Sequence, residues 1–479
     1  MASTQLHQRR PPSTTDQDQI TPGNEPEQPL KVIIVGSGIG GLITAIMLDR
    51  AGIDYVILEK RPQHSTIGSA IAFTAVVLRV LDQLGLYEDI HAISKDFSQT
   101  RITMADGREI GILDGLFTQE RYGYYNAIMA RPDLMNALLS RVAPNKIHMG
   151  KKVLEVTEHP DGQTKNDPAG MVTVRCSDNR HVFFFFRYQA HLVIGCDGAY
   201  SAVRQRMYQI LKEKGVNVPK ADFAPFRFDM HCVVGVSKPL DPEVYPTLKK
   251  PYCEFEVILG NDLSYNIWLM PLNNNRISWM INGKMFTPKA NNREEAKRQL
   301  EENFKASEWG EEAAEELCNM VRDFACPYNN TTIGDLIDNT PKTVISKVML
   351  EDKMFETWHS DRIVLLGDGG QGATQAILDA VVLVDLLHEL PSNSAKDISN
   401  ALKRYQSKRF ETAKAAVSAS RQGGYLFSEK GWFMDLLRAF TFKYMPRWLY
   451  MMTSDRIQAS RPILSFLPPV PDRGSVKAI

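Results

Sequence analysis

The sequence predicts an α/β protein, with a parallel-sheet domain interrupted by an inserted antiparallel sheet and followed by a helical C-terminal segment. Three observations carry that prediction. Short apolar runs lead into glycine turns near residues 36, 198 and 367; strand-like stretches joined by turn clusters fill the middle; an aromatic, basic run precedes the C-terminus. At 479 residues the chain has room for about two to three domains. Its 43% hydrophobic and 23% charged residues are those of a globular protein. Lys plus Arg and Asp plus Glu balance at 56 each, which excludes a general field for nucleic acid. The six cysteines show no CxxC spacing, so neither a zinc site nor a disulfide framework is expected. No apolar run is long enough to span a bilayer and no hydrophobic signal core opens the chain, so a cytoplasmic location is expected.

Residues 1–29 are rich in Pro, Ser, Thr and Gln and nearly free of large apolar residues, and are expected to be a disordered tail. Order is expected to begin at "KVIIVGSGIGGLITAIMLDRAGIDYVILEKR". Lys31–Val35 is a buried-strand run, Gly36, Gly38 and Gly41 form a GxGxxG, and Leu42, Ile43, Ile46 and Met47 follow at helical spacing. A second strand, Tyr55–Leu58, ends in Glu59. This is a complete Rossmann-type βαβ unit: a tight turn, a Cβ-free approach for a pyrophosphate, a helix N-terminus aimed at it, and an acid for ribose hydroxyls. An acid there suits FAD or NAD rather than a 2′-phosphorylated ribose.

Further along, Val77, Val80, Leu81 and Leu84 mark one face of a helix, and Arg131 stands before Pro132 at a helix start. Phe183–Phe186 is expected to be core strand. His191–Gly195 is expected to be a buried strand delivering Asp197 and Gly198, with Ser201 and Arg204 on a following helix. Phe226–Val236, Cys253–Leu259, Tyr265–Pro271 and Ile277–Gly283 form an expected antiparallel sheet, followed by helices over Arg293–Asn303 and Glu311–Val321. Phe255, Tyr265, Trp268, Met270, Trp279 and Met280 are its candidate inward positions, and no catalytic base stands out among them. A last glycine turn, "LLGDGGQGATQAILDA", opens a helix containing Ile377, Ala380, Val381 and Val384.

Taken in order, the GxGxxG with Glu59, the "ARPDLMNALL" helix, "CDGAYSAVR" and "LLGDGGQGA…ILDA" resemble the flavoprotein aromatic hydroxylases. These are FAD-dependent monooxygenases with the para-hydroxybenzoate hydroxylase fold, among them salicylate-hydroxylase-like enzymes and fungal secondary-metabolite epoxidases. The resemblance implies an FAD-binding domain over 30–210 and 340–420, a substrate domain over 211–339, and a C-terminal helical segment over 421–479. It implies FAD as cofactor, NAD(P)H as co-substrate, and hydroxylation or epoxidation of an apolar aromatic or prenylated small molecule. By the same resemblance Gly36, Gly38, Gly41 and Glu59 hold the ADP half, Ala72 touches the flavin, and Arg131 lies along the ribityl–pyrophosphate section. Asp197, Gly198 and Arg204 fall near the pyrophosphate and the nicotinamide coenzyme, and Asp368 meets ribityl hydroxyls. Backbone amides at Gly372 and Ala373, at a helix N-terminus, suit the negative pyrimidine edge of reduced flavin.

One departure stands out. Gly369 follows Asp368 directly, so this turn is roughly eight residues shorter than the family's, in a place where loops carry function. Three functions stay open: a monooxygenase, another flavoprotein oxidoreductase of the same fold, or a non-enzymatic member with a degenerate flavin site. The W-x-W-x-I-P pattern of flavin halogenases is absent. Lys430–Met452, aromatic with interspersed Lys and Arg, reads either as an interfacial helix on a membrane or as a cover on its own domain.

Overall fold

The structure is a computed structural model that describes residues 29–64, 67–159, 170–178, 181–224, 226, 230–260, 265–284, 315, 318–349, 353–367 and 372–478. The expected tail as far as residue 28, the helix over 293–303, most of the helix over 311–321, and Asp368 to Gln371 lie outside these residues.

A five-stranded parallel sheet is ordered Ile363–Leu365, Leu192–Gly195, Lys31–Val35, Asp54–Leu58, Ile147–His148. Val32, Ile33 and Ile34 are fully buried, which is why this run reads as continuously apolar: helices cover one face, and a three-stranded sheet with the helix Ala202–Glu213 covers the other. Helix α1 (Ile39–Arg50) is buried on nearly every side. A helix apolar all round belongs inside. Further helices follow in chain order: α2 (Ala75–Gln83), α3 (Arg131–Leu139), α4 (Ala202–Glu213), α5 (Ile333–Asp338), α6 (Gly372–His388) and α7 (Ala395–Ser428).

A second sheet runs Ser346–Met349, Met230–Val236, Arg276–Lys284, Tyr265–Leu272, Tyr252–Leu259, Lys95–Met104, Ala127–Ala130, Ala70–Phe73, with Glu109–Asp114 beside Lys95–Met104. It is antiparallel except where Tyr252–Leu259 runs parallel to Lys95–Met104. Four of its strands come from residues 70–130, inside the stretch expected to serve the first domain.

One expectation is corrected here. Phe185 and Phe186 are 55% and 37% exposed, not core. They lie on the edge strand His181–Ala190 of a small three-stranded sheet, where cations cover their rings: Lys151 over Phe186 and Arg175 over Phe185. The C-terminal run is two helices, α8 (Trp432–Ala439) and α9 (Arg447–Ile457), joined through a π-helical turn. Pro446 caps α9 because its ring cannot continue the preceding hydrogen-bond ladder.

Candidate cofactor and substrate site

The sequence motifs meet at the carboxyl ends of the parallel strands, where ligands bind in doubly wound sheets. Gly36 ends its strand with φ +102°, and a Cβ there would stand 2.5 Å from the Cys196 carbonyl oxygen. A Cβ on Gly41 would stand 2.0 Å from the Gly36 carbonyl oxygen. Only glycine lets the loop close on itself and on the neighbouring strand. Gly38 differs, since a Cβ added there would meet no atom within 4 Å. It caps α1 without a side-chain hydrogen bond, and no acid occupies the first turn. Open space before an uncapped helix N-terminus fits a pyrophosphate.

Glu59 faces this loop. Its Oε2 accepts from the Ser37 amide at 2.9 Å and the Ser37 hydroxyl at 2.8 Å, and its Oε1 accepts from the Arg61 amide at 2.9 Å. Burial pushes the carboxyl up, but the Arg61 and Ser37 donors together outweigh it and hold the group below its ordinary value. It stays ionised with acceptor capacity left on Oε1 for a ribose hydroxyl.

Arg131 opens α3 from the other side. Its backbone amide bonds the Ser69 carbonyl, its Nη1 donates to the Ile67 carbonyl at 2.9 Å, and its stem packs over Gly68. Burial, and then the nearby Arg61 charge, push its guanidinium down. Two cations side by side suit a diphosphate. Ser37, Gly38, Glu59, Arg61 and Arg131 share one cleft of about 40 Å³. Ala72 lies exposed on the strand that starts just after this contact, paired with Ile128. A larger groove of about 520 Å³ lies elsewhere, at the amino ends of the strands around Lys31 and Asp54, away from every motif. Size does not mark the site.

The other sequence-predicted residues divide. Asp197 sits beside the first turn, but its carboxylate accepts from the Ser201 hydroxyl at 2.6 Å and the Ala202 amide at 2.7 Å, so it serves the start of α4. Gly198 has φ +84° in that turn. Arg204 is buried, bonded to the Ala199 carbonyl, with its guanidinium 3.7 Å from the Phe355 ring centroid. It packs within the protein. Gly372 begins α6 with φ +51°, followed by Ala373. Through this helix the two glycine motifs touch: a Cβ on Gly40 would lie 3.0 Å from the Ala376 Cβ, and one on Gly367 3.3 Å from the same atom. Asp368 falls outside the described residues.

Register sorts the second sheet's residues onto two faces. Trp268 pairs with Met280 and Val257, and packs with Phe255, Met270 and Leu272 against Ala70 and Ile128. Phe255 and Phe427, from the end of α7, meet the Trp268 ring edge-on. Tyr265 and Trp279 belong to the opposite face, where Tyr265 stacks on Phe324 and Trp279 donates to Thr340 at 2.9 Å. That removes two of the six candidate inward positions. Strand alternation is the reason.

Glu256 is a titratable group that reading the sequence missed. It is buried, with Arg101 at 3.9 Å, and burial pushes its carboxyl up to about 7. A carboxyl near 7 invites assignment as a catalytic base. But Glu256 pairs with Leu269, which belongs to the core on the face away from Trp268. Its place in the strand excludes contact with whatever lies on the Trp268 face.

Glycine turns and an ionised acid gathered at the strand ends, beside a sheet with one apolar aromatic face, define a flavoprotein of the aromatic-hydroxylase fold. Residues 29–420 match the FAD binding domain family, and the chain belongs to it. It is 31% identical to the FAD-dependent monooxygenase ausM of Penicillium brasilianum over 438 residues, 88% of this chain and 84% of that one. To the FAD-dependent monooxygenase atmM of Aspergillus flavus it is 29% identical over 464 residues, 91% of this chain and 87% of that one. Among solved structures, HpxO of Klebsiella pneumoniae, complexed with FAD and uric acid, superposes with a TM-score of 0.65 at 20% identity, covering 90% of this chain and 97% of that one. The p-nitrophenol 4-monooxygenase PnpA of Pseudomonas putida gives 0.61 at 18%, covering 90% and 98%. The chain is an FAD-dependent monooxygenase that acts on small molecules.

Proposed function

We propose that the protein uses NADH or NADPH and oxygen to hydroxylate or epoxidise an apolar, aromatic or prenylated small molecule. The observation that supports this reading is the apolar face of Phe255, Trp268 and Met270, closed at one edge by Phe427. Such a face orients a hydrophobic substrate and keeps water from the reacting atoms. Bound FAD supplies the oxygen chemistry. The chain's own residues hold and orient: Gly38 and the α1 amides toward the pyrophosphate, Glu59 toward the ribose, Arg131 along the diphosphate, and the Gly372 and Ala373 amides toward the pyrimidine edge. No acid–base residue is assigned on the apolar face.

The test is turnover of purified, FAD-loaded protein with NADH or NADPH and a panel of phenols and prenylated aromatics. The expected product is heavier by one oxygen atom. The short turn after Asp368 is expected to shelter the flavin poorly, so most oxygen consumed should appear as hydrogen peroxide. Tight coupling on any substrate would show that the short turn works as it stands.

We also propose a cytoplasmic protein whose C-terminal face rests on a membrane surface. No helix among the described residues is long and apolar enough to cross one. The support is exposure: Trp432, Phe433, Leu436, Tyr444 and Trp448 are each at least 59% exposed on or between α8 and α9, beside the 72% exposed Arg447 side chain. Aromatics mixed with cations suit the interface of an anionic bilayer. Co-sedimentation with phosphatidylserine vesicles that survives Trp432→Ser with Trp448→Ser would remove this reading.

A further inference from the structure

The first glycine turn is held by close backbone contacts and by Glu59 within its own βαβ unit; the second is held by side chains from behind. Asp379, on α6, is fully buried. Its Oδ2 accepts from the Gly367 amide at 3.0 Å, and its Oδ1 accepts from Arg409 Nε at 2.8 Å. Arg409, buried on α7, also donates through Nη2 to Gln375 Oε1 at 2.6 Å, one turn nearer the start of α6. Tyr405, one turn earlier on α7, donates to the Leu365 carbonyl at 3.0 Å, the last residue of the strand leading into the turn.

We infer that the Asp379–Arg409 pair is a positioning unit for FAD: it sets Gly367 and the first turn of α6 in the arrangement that receives the cofactor. The inference rests on the FAD assignment above. Three features argue for more than packing. A buried ion pair is not needed for stability, because apolar residues of similar volume fill such a space as well or better. One of the two carboxylate oxygens is directed to a backbone amide at the end of the strand instead of to the arginine. And Gly367, at φ +78°, lies against Ala376, the residue that also meets Gly40 of the first turn. A shift of a few tenths of an ångström at Gly367 is therefore passed to the contact between the two glycine motifs.

The test compares Arg409→Met, Asp379→Leu, the double variant and wild type, each as apoprotein titrated with FAD. Thermal midpoint, FAD dissociation constant and visible circular dichroism of the bound flavin are read together. Either single change should lower both midpoint and affinity, since each strands a buried partner. The double variant should recover most of the midpoint yet bind FAD at least about tenfold more weakly, with altered flavin dichroism, because the Gly367 amide has lost its side-chain acceptor. If the double variant binds FAD with wild-type affinity and spectrum, the pair is structural and the proposal is wrong. Should the double variant not fold, Asp379→Asn decides: it keeps an oxygen for the Gly367 amide, so FAD affinity should stay within about threefold of wild type while the midpoint falls. Affinity that falls as far as for Asp379→Leu overturns the proposal. Wild-type protein that takes up no FAD overturns the cofactor assignment, and this inference with it.

Discussion

The two glycine turns are held in place by different means. Apart from its contact with Cys196, the first lies within one βαβ unit from Lys31 to Glu59, and its geometry comes mainly from close backbone contacts, Gly41 on Gly36 and Gly36 on Cys196, with Glu59 gripping Ser37. The second depends on side chains far along the chain, with Asp379 12 residues from Gly367 and Arg409 a further 30. At Gly36 and Gly41 the first turn has no room for an added atom. The second turn depends in addition on distant side-chain partners, which it cannot lose.

The sharpest way to break the comparison is Gly41→Ala. Its methyl would overlap the Gly36 carbonyl, and relieving that overlap means unwinding the loop, at a cost of about 3 kcal/mol or more. The expected protein is colourless, with a thermal midpoint many degrees lower. Next in size is a change in the second sheet. Glu256 is raised from 4.5 to about 7, so its neutral form is favoured by folding. The stability it contributes is complete below the unfolded value and is lost as pH rises through about 7, up to about 3 kcal/mol across that window. Glu256→Gln should remove this dependence; urea midpoints at pH 5 and pH 7.5 should differ less for the variant than for wild type. Glu59 works with the opposite sign. Held below its ordinary value, it stabilises the loop above the unfolded value and stops doing so as pH falls through its folded value. Glu59→Ala should weaken FAD binding by about 1.5–3 kcal/mol, read by fluorescence titration at pH 7. The smallest effect on folding sharpens the comparison most. Gly38→Ala meets no protein atom, so stability should stay within about 0.5 kcal/mol, while the methyl enters the pyrophosphate's space and lowers FAD affinity more than about tenfold. Unchanged affinity would place the pyrophosphate elsewhere.

These contrasts also explain what the sequence disclosed. The strand Lys31–Val35 and those at Tyr55, Leu192, Cys253 and Tyr265 were legible because each is a short apolar or alternating run bounded by turn residues. The first half of the site was legible because its spacing is local. Ser37's grip on Glu59 was not, since any small residue satisfies the motif at that position. The Asp379–Arg409 pair was not, since α7 declares its helical period but not which charged residue turns inward. Tyr265 and Trp279 were misplaced because alternation fixes relative faces and only pairing with Leu269 and Gly283 says which face is which. Phe185 and Phe186 misled because apolarity marks burial on average, and an edge strand with cations over its rings is an exception.

Helix α7 runs unbroken from Ala395 to Ser428. Arg409 and Phe427 stand 18 positions apart on it, about 27 Å at the usual rise per residue. One rod thus carries the tie to Gly367 near its middle and a wall of the apolar face at its end. For grafting, this decides where the chain can be cut. Moving the second sheet onto another scaffold without residues 410–428 would leave Trp268 facing a foreign wall, and taking all of α7 would bring Arg409 without its carboxylate. The workable seam runs through the helix between these two residues, where one length of helix can replace another without breaking either contact.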